Sequence, residues 1–177
     1  MANTATSIYL DGSTDDYLET GISFASYSGE FTLEGWFFPS RDLTREGLFA
    51  SGTNDDLDCE FQADNDFHVF ARQSDGTSYA SNLVIAAADI TPKVAWQHIA
   101  VCRIGNKAVF FHNGVCKGFA AYTMNSFPSD MANIRVGMYS TNLSFQGYMD
   151  GVRISKVARY GNIDIPTTQL NTWQTAG

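Results

Sequence analysis

The sequence predicts an all-β fold, a sandwich or barrel of roughly a dozen short strands, on three observations. Short runs of alternating apolar and polar residues recur along the chain, whereas apolar residues at helical spacing are nearly absent. Turn residues separate the runs, including the pair Asn113-Gly114, which is a strong hairpin signal. Aromatic residues make up 14% of the chain and there are 15 glycines, a composition typical of β-rich proteins.

The predicted strands follow from this pattern in chain order. They are 7–10, 17–20, 31–38, 47–51, 57–62, 67–73, 83–88, 96–104, 107–112, 115–120, 134–139 and 145–154. The strongest, FTLEGWFF at 31–38, is rich in aromatic residues and is closed by Pro39. Gly105-Asn106 and Asn113-Gly114 join three consecutive strands into two hairpins.

Length and composition indicate one globular domain. A chain of 177 residues can bury a substantial single core, and 44% of its residues are apolar against 17% charged. No linker, repeat or low-complexity stretch divides it. We therefore expect one domain over residues 1–177, with a core at about 7–169 and an extended C-terminal tail at 166–177.

The charge and the apolar runs argue against two kinds of partner. A net charge of −8 disfavours nucleic-acid binding, which needs basic patches to replace counterions. The N-terminal sequence MANTATSIYLDG lacks the basic and apolar regions of a signal peptide, and no apolar run approaches membrane-spanning length. We expect no signal peptide, no nucleic-acid partner and no membrane insertion.

The charge is also unevenly placed along the chain. Residues 1–92 carry 16 acidic and 3 basic side chains, while residues 93–177 carry 3 acidic and 8 basic ones. Strands from both halves interleave in a sandwich, so the asymmetry partly cancels within the fold. Where it does not cancel, it provides complementary faces suited to pairing of subunits.

The three cysteines are Cys59, Cys102 and Cys116, an odd number at wide spacing. There is no CxxC pair and no spacing typical of a Cys/His metal site. We interpret them as reduced and mostly buried thiols in a protein made in a reducing compartment.

Four segments together resemble a known family. They are YLDGSTDDYLE (9–19), FTLEGWFFP (31–39), WQHIAVCRIGNKAVFFHNGVCKG (96–118) and FQGYMDGVRISKVARYGNIDIPTTQ (145–169). In this order they resemble a laminin G-like domain of the concanavalin A-like lectin/glucanase superfamily. The resemblance implies a jelly-roll sandwich of two antiparallel sheets. The residues themselves agree with that fold: we expect Trp96, Ile99 and Val101 in the core, and Gly147 and Gly151 where the backbone bends or packs closely.

The C-terminal segment GVRISKVARYGNIDIPTTQ is most similar to the variant common in tailed-phage virion proteins. This resemblance implies a non-enzymatic virion structural or decoration protein, made in the host cytoplasm and located on the virion surface. Its partners would be other virion proteins on capsid or tail, and a second copy of itself in a homo-oligomer. The alternative is a lectin-type module that binds host or environmental glycan. A glucanase-type hydrolase is a remote third.

The stretch NDDLDCEF (54–61) admits three interpretations, of which catalysis is the first. Asp56-Leu57-Asp58-Cys59-Glu60 is similar to the E-x-D-x-E motif of glucanases, with the first glutamate shortened to aspartate. The shorter side chain displaces the attacking oxygen, and the motif lies earlier in the chain than in those enzymes. We therefore predict no catalytic residue.

A second interpretation is calcium binding. Pentraxins share the fold and place calcium ligands after a strand that is similar to LFASGTNDD (48–56), so Asn54, Asp55 and Asp56 form a candidate calcium loop. The second ligand group of pentraxins is acidic, whereas the corresponding residues 138–142 of this chain contain no carboxylate. The site is therefore incomplete, and no cofactor is required; a single calcium ion is the candidate ligand.

The third interpretation is structural and is the one we favour. Leu57, Cys59 and Phe61 would pack inward, and Asp58 and Glu60 would face solvent on the other side of the strand. In the acidic turn at 11–16, the aspartate side chains would bond nearby backbone amides rather than a cation. Four tyrosines are candidates for stacking on sugar rings, but each is predicted to be partly buried: Tyr79, Tyr122, Tyr139 and Tyr148.

Overall fold

The computed structural model describes residues 7–41, 45–51, 56–72, 79–90, 95–123, 126–129, 131, 133–139 and 143–160. Within these ranges the chain forms twelve strands and one short 3₁₀ helix, Ala87–Asp89. The strands are β1 (Ile8–Asp11), β2 (Leu18–Ser23), β3 (Phe31–Pro39), β4 (Glu46–Ser51), β5 (Leu57–Phe61), β6 (Phe67–Arg72), β7 (Tyr79–Ile85), β8 (Gln97–Ile104), β9 (Lys107–His112), β10 (Val115–Ala121), β11 (Asn133–Val136) and β12 (Gln146–Ser155).

The strands form two six-stranded antiparallel sheets, which confirms the predicted all-β sandwich. Sheet A has the order β1-β12-β3-β8-β9-β10 and sheet B the order β2-β11-β4-β5-β6-β7. In sheet A the late strand β12 lies between β1 and β3, and in sheet B the late strand β11 lies between β2 and β4, so the two halves of the chain interleave as expected. Among the described residues, no helix is long and apolar enough to cross a membrane.

The core lies between the sheets and is built largely from phenylalanine. Phe37 of sheet A meets Phe49 of sheet B edge to face, with ring centroids 5.7 Å apart. Phe67 of sheet B stacks on Phe110 of sheet A at 4.5 Å. Such ring pairs add to the free energy gained from apolar burial. They also fix the spacing between the sheets.

Strand β7 differs from its prediction. The sequence indicated a strand at 83–88, but β7 ends at Ile85 and a 3₁₀ helix occupies Ala87–Asp89. Ser81, Leu83 and Ile85 alternate inward and are buried, so the strand is set by its pairing with β6. The Ala-rich run that follows carries no such alternation.

Gly147 stands where two backbones approach closely. A Cβ atom built on it would lie 2.1 Å from the carbonyl oxygen of Phe38 on the neighbouring strand β3. Gly151 has a φ of 58°, a left-handed conformation that favours glycine. The predicted roles of these two glycines are confirmed.

A second, smaller apolar cluster lies on the outer face of sheet A, away from the main core. Its members are buried: Ala100, Cys102, Val109, Phe111 and Cys116. The segment after β12 crosses this half of the face, with the ring of Tyr160 5.3 Å from that of Phe111. The carbonyl of Val157 accepts a 3.0 Å hydrogen bond from Thr32 Oγ1 of β3. The described residues thus cover one half of the outer face and leave its other half open.

Two smaller predictions are also confirmed. All three cysteines are buried and free. In the acidic turn, the Asp11 N–H donates to Asp16 Oδ2 at 2.6 Å and the Ser13 N–H donates to Asp11 Oδ1 at 2.7 Å. The aspartates therefore bond local amides.

Candidate functional site

Four aromatic rings form a row across the open half of the outer face of sheet A. Tyr9 of β1 is paired with Tyr148 of β12, and Tyr148 with Phe38 of β3. Trp96, which immediately precedes β8, continues the line. The ring centroids are 4.9 Å apart for Tyr9 and Tyr148, 6.3 Å for Tyr148 and Phe38, and 5.8 Å for Phe38 and Trp96. We call these four residues the aromatic row.

Strand alternation brings the row to the surface. Leu10, Phe37, Gln97 and Met149 are the sequence neighbours of the four rings, and all are buried. The rings themselves project to the opposite side. Tyr9 is 47% exposed, Trp96 43% and Tyr148 42%. A depression of about 270 Å³ lies along the row, lined by Ser7, Phe38, Trp96 and Tyr148.

The prediction that Trp96 belongs to the core is wrong. Strand β8 begins at Gln97, whose side chain is buried, so alternation turns Trp96 outward against Phe38. Of the four tyrosines weighed as sugar-stacking residues, Tyr148 is in the row. Tyr122 is buried, Tyr139 is half-buried beside a guanidinium, and the side chain of Tyr79 lies outside the described residues.

Sequence reasoning did not identify the row as a unit. A signal was present, because aromatic residues occupy the positions that alternate with apolar core residues in 8–11, 31–39 and 146–155. Which of these positions become neighbours depends on the order of the strands in the sheet. That order places β1, β12, β3 and β8 side by side, although they are far apart in sequence.

The row has a polar border on its inner side, towards the covered half of the face. Trp36 is exposed and meets His98 edge to face at 5.3 Å. Behind them Glu34 is buried; Arg159 Nε donates to its Oε1 at 2.7 Å, and His98 Nε2 lies 3.7 Å from its Oε2. Burial raises the pKa of Glu34 and lowers that of His98. His98 is therefore neutral at pH 7, and Arg159 compensates the glutamate.

The acidic strand β5 differs from its prediction. Leu57, Cys59 and Phe61 face the core as expected. The expectation that Asp58 and Glu60 face solvent is wrong, since they are 1% and 0% exposed.

The reason is a guanidinium that covers Glu60 on the outer face of sheet B. Arg45 holds Glu60 with two hydrogen bonds, Nε to Oε2 and Nη2 to Oε1, each 2.6 Å long. Gln62 Nε2 also donates to Glu60 Oε1. The Arg45 guanidinium in turn lies 4.5 Å from the centre of the Tyr139 ring. Glu60 is therefore a buried carboxylate whose charge is compensated by Arg45.

A second buried ion pair lies on the neighbouring strand. Arg41 Nε donates to Glu46 Oε1 at 2.7 Å, and Arg41 Nη2 donates to the Ser144 carbonyl at 2.9 Å. Glu46 is fully buried. The two pairs join the entry of β4 to the segments around residues 139 and 144.

Part of the candidate calcium loop lies outside the described residues, namely Asn54 and Asp55. Asp56 is described and is buried. Its N–H donates to Ser51 Oγ at 3.0 Å, and its carbonyl accepts from the Arg72 N–H at 2.9 Å. Among the described residues, no three His, Cys, Asp or Glu side chains are grouped to hold a metal ion. The calcium loop stays a prediction.

Comparison with protein families decides the classification. The Laminin G 3 family model, described as Concanavalin A-like lectin/glucanases superfamily, matches residues 3–161. This chain belongs to that family. The laminin G-like resemblance is thereby confirmed, whereas the phage-virion variant stays a prediction. No curated protein matches the chain significantly in sequence.

Solved structures similar to this laminin G-like chain share its fold at low identity. The CBM40 module of Ruminococcus gnavus IT-sialidase bound to α2,3-sialyllactose has a TM-score of 0.67 and 13% identity, over 86% of this chain and 90% of that one. Domain 4 of AbnA, a GH43 extracellular arabinanase from Geobacillus stearothermophilus in complex with arabinotriose, has a TM-score of 0.64 and 18% identity, over 89% and 73%. The binding domain of Paraclostridial Mosquitocidal Protein 1 has a TM-score of 0.69 and 14% identity, over 89% and 41%.

Proposed function

We propose that this laminin G-like domain is a glycan-binding module that takes its ligand on the aromatic row. The observation that carries the proposal is the line of four rings, three of them more than two-fifths exposed, on one face of a rigid sheet. Large exposed aromatics are costly to leave in water, and a continuous group of them marks a binding surface.

The chemistry of the row suits a sugar. A pyranose or furanose ring has apolar C–H faces and a polar rim, and an aromatic ring covers such a face while leaving the rim free to form hydrogen bonds. Ser7 at the depression and the Tyr9 and Tyr148 hydroxyls supply polar groups beside the apolar surface. Two of the similar structures are glycan complexes, which supports a binding role for this fold without assigning the sugar.

The row belongs to the scaffold rather than to loops. Tyr9, Phe38 and Tyr148 are on paired strands of sheet A, and Trp96 is packed against Phe38. Because their backbones are held by ladder hydrogen bonds, the rings are arranged before ligand arrives. A site of this kind spends little free energy on ordering its own side chains.

Affinity electrophoresis against a panel of soluble polysaccharides, followed by titration calorimetry, tests the proposal. We expect the wild-type chain to bind at least one glycan, and Trp96→Ala and Tyr148→Ala each to lower its affinity about tenfold. Val84→Ala is the matched control, because Val84 is 48% exposed on the opposite sheet, and it should bind like wild type.

Two results would overturn the proposal. In the first, no glycan of the panel is bound. In the second, binding is unchanged in the Trp96 and Tyr148 variants while their circular dichroism matches wild type. A halved molar mass of these variants in light scattering would instead assign the row to a contact between two copies of the chain.

The virion role inferred from the C-terminal resemblance stays a prediction, together with the virion partners, the homo-oligomer and the virion location. Mass spectrometry of purified particles tests it, and absence of the chain from particles would refute it. The non-enzymatic character is likewise a prediction. Release of sugar from a β-glucan, lost in Glu60→Gln, would contradict it. Calcium titration of wild type against Asp55→Asn, Asp56→Asn tests the calcium loop.

A further inference from the structure

We infer that the aromatic row selects the interior of an extended, neutral polysaccharide chain, rather than a terminal or acidic sugar. This inference rests on the proposed glycan-binding function and names the class of ligand that the same surface accepts. It follows from the direction of the row, from the openness of its ends and from the charges beside it.

The direction of the row follows from the sheet. Tyr9, Tyr148 and Phe38 lie at paired positions on the adjacent strands β1, β12 and β3, and Trp96 directly precedes the next strand, β8, so the row runs across the strands. Neighbouring strands are about 4.8 Å apart, and the observed centroid distances of 4.9–6.3 Å follow that spacing. Each interval is comparable to the length of one sugar unit. Successive units of an extended chain can therefore each meet a ring.

The ends of the row are open in the described part of the chain. Tyr9 lies on β1, an edge strand of sheet A. At the other end, the pairing of β9 with β8 begins at Ile99 and His112, so no described strand lies beside Trp96 on that side. A site for a terminal sugar needs a wall that stops the chain. Open ends instead let a polymer continue past the row in both directions.

The charges beside the row favour a neutral ligand. Asp11 follows Tyr9 by two residues on β1, and Asp150 follows Tyr148 by two residues on β12. Because Tyr9 and Tyr148 are paired and β1 and β12 are antiparallel, the two carboxylates flank this tyrosine pair on opposite sides. Each is about 6.6–6.8 Å along its strand from the neighbouring tyrosine.

Both carboxylates are solvent-exposed. Hydrogen bonds from backbone and side chain of Ser13 lower the pKa of Asp11, and Asp150 Oδ1 accepts the Gly151 N–H at 2.7 Å. A carboxylate accepts hydrogen bonds from sugar hydroxyls and repels a carboxylate on a sugar. None of the described residues that line the depression is basic. The nearby arginines, Arg153 and Arg159, are both engaged with Glu34.

The test uses the full chain with three sets of probes: neutral polysaccharides (arabinan, xylan, glucomannan, mixed-linkage β-glucan), acidic ones (alginate, polygalacturonate), and lactose against 3′-sialyllactose. Calorimetry then follows the oligosaccharides of the bound polymer from disaccharide to hexasaccharide. We expect a neutral polymer to bind, affinity to rise at least tenfold from di- to hexasaccharide, and sialyllactose to bind no tighter than lactose.

Two variants locate the effect. Tyr9→Ala removes one end of the row and should lower hexasaccharide affinity about tenfold and disaccharide affinity less. Asp150→Asn should increase the binding of the acidic polymers severalfold, and Val84→Ala should change neither. Tight binding of an acidic glycan, or equal affinity for di- and hexasaccharide, with Trp96→Ala still lowering the affinity about tenfold, would overturn this inference and leave the glycan-binding proposal standing. Absence of any binding would overturn both.

Discussion

Removing the guanidinium that covers Glu60 should destabilise the domain strongly. In Arg45→Ala the Glu60 carboxylate, which is 0% exposed in the wild-type structure, loses two hydrogen bonds of 2.6 Å and its compensating charge. Breaking a buried ion pair from one side costs about 3–5 kcal/mol. The Arg45 side chain is 35% exposed, so water partly replaces it, and we expect about 3 kcal/mol. For a chain of this size that lowers the melting temperature by about 6–12 °C.

Urea unfolding followed by tryptophan fluorescence measures the change, with the slope m checked for equality between variants. Arg45→Lys keeps the charge but not the planar pair of donors, so its loss should be intermediate. Arg153→Ala is the surface control. Arg153 is 54% exposed and lies 3.9 Å from Glu34, and its loss should stay below about 1 kcal/mol.

A double variant separates the cost of an unpaired charge from the loss of contacts. When Glu60→Gln is combined with Arg45→Ala, no charge remains buried at that place, so the double variant should be more stable than Arg45→Ala alone. The reasoning is refuted if Arg45→Ala loses less than about 1 kcal/mol at unchanged m. It is equally refuted if the stability loss of the double variant equals the sum of the losses measured for Arg45→Ala and Glu60→Gln separately.

Three further predictions concern buried groups. Burial, with the charge of Lys117, lowers the pKa of His112 to about 4 from 6.5. The contribution of His112 to the free energy of unfolding is therefore complete above pH 6.5 and falls by about 3 kcal/mol as the pH decreases towards 4. His112→Gln should flatten that part of the stability–pH curve. An unchanged curve would contradict the assignment of this pH dependence to His112. Gly147→Ala places a methyl group against the Phe38 carbonyl and should cost about 3 kcal/mol in urea unfolding, whereas Gly105→Ala, with no atom within 4 Å, should cost only about 1 kcal/mol of backbone strain. Burial raises the pKa of all three thiols, so a thiol reagent should label none in the native protein and three in denaturant; rapid native labelling would show that a cluster opens. These thiols are Cys59, Cys102 and Cys116.

Most of the strands were predictable because alternation is a local property. β3 and β9 were located to within one residue, since aromatic and β-branched residues alternate there between sharp turns. The end of β7 was not located correctly from the sequence, because its last residues depend on pairing with β6 and not on their own pattern. The turn at 11–16 was predicted correctly for the same local reason: an aspartate reaches amides two to five residues away.

The candidate site was the harder part to predict, and Glu60 and Trp96 show why. Alternation correctly placed Glu60 on the outer face of sheet B, but it did not predict which side chain covers the carboxylate. Its partner Arg45 is 15 residues away in sequence and comes near only because β4 and β5 pair. For Trp96 the prediction placed it on the same face as Ile99 and Val101, whereas alternation puts it on the opposite face, because residues 97, 99 and 101 are the ones that point into the core.

By itself, the sequence determined the fold class and most of the strands, because both depend on periodicity and turn chemistry between near neighbours. Four of its segments also carried the resemblance to the family. Only the tertiary structure decided which residues meet across strands. It buried Glu60 against Arg45, and it aligned Tyr9, Phe38, Trp96 and Tyr148 into one row. The physical reason is that strand order is set by the global packing of two sheets, and no local pattern encodes it.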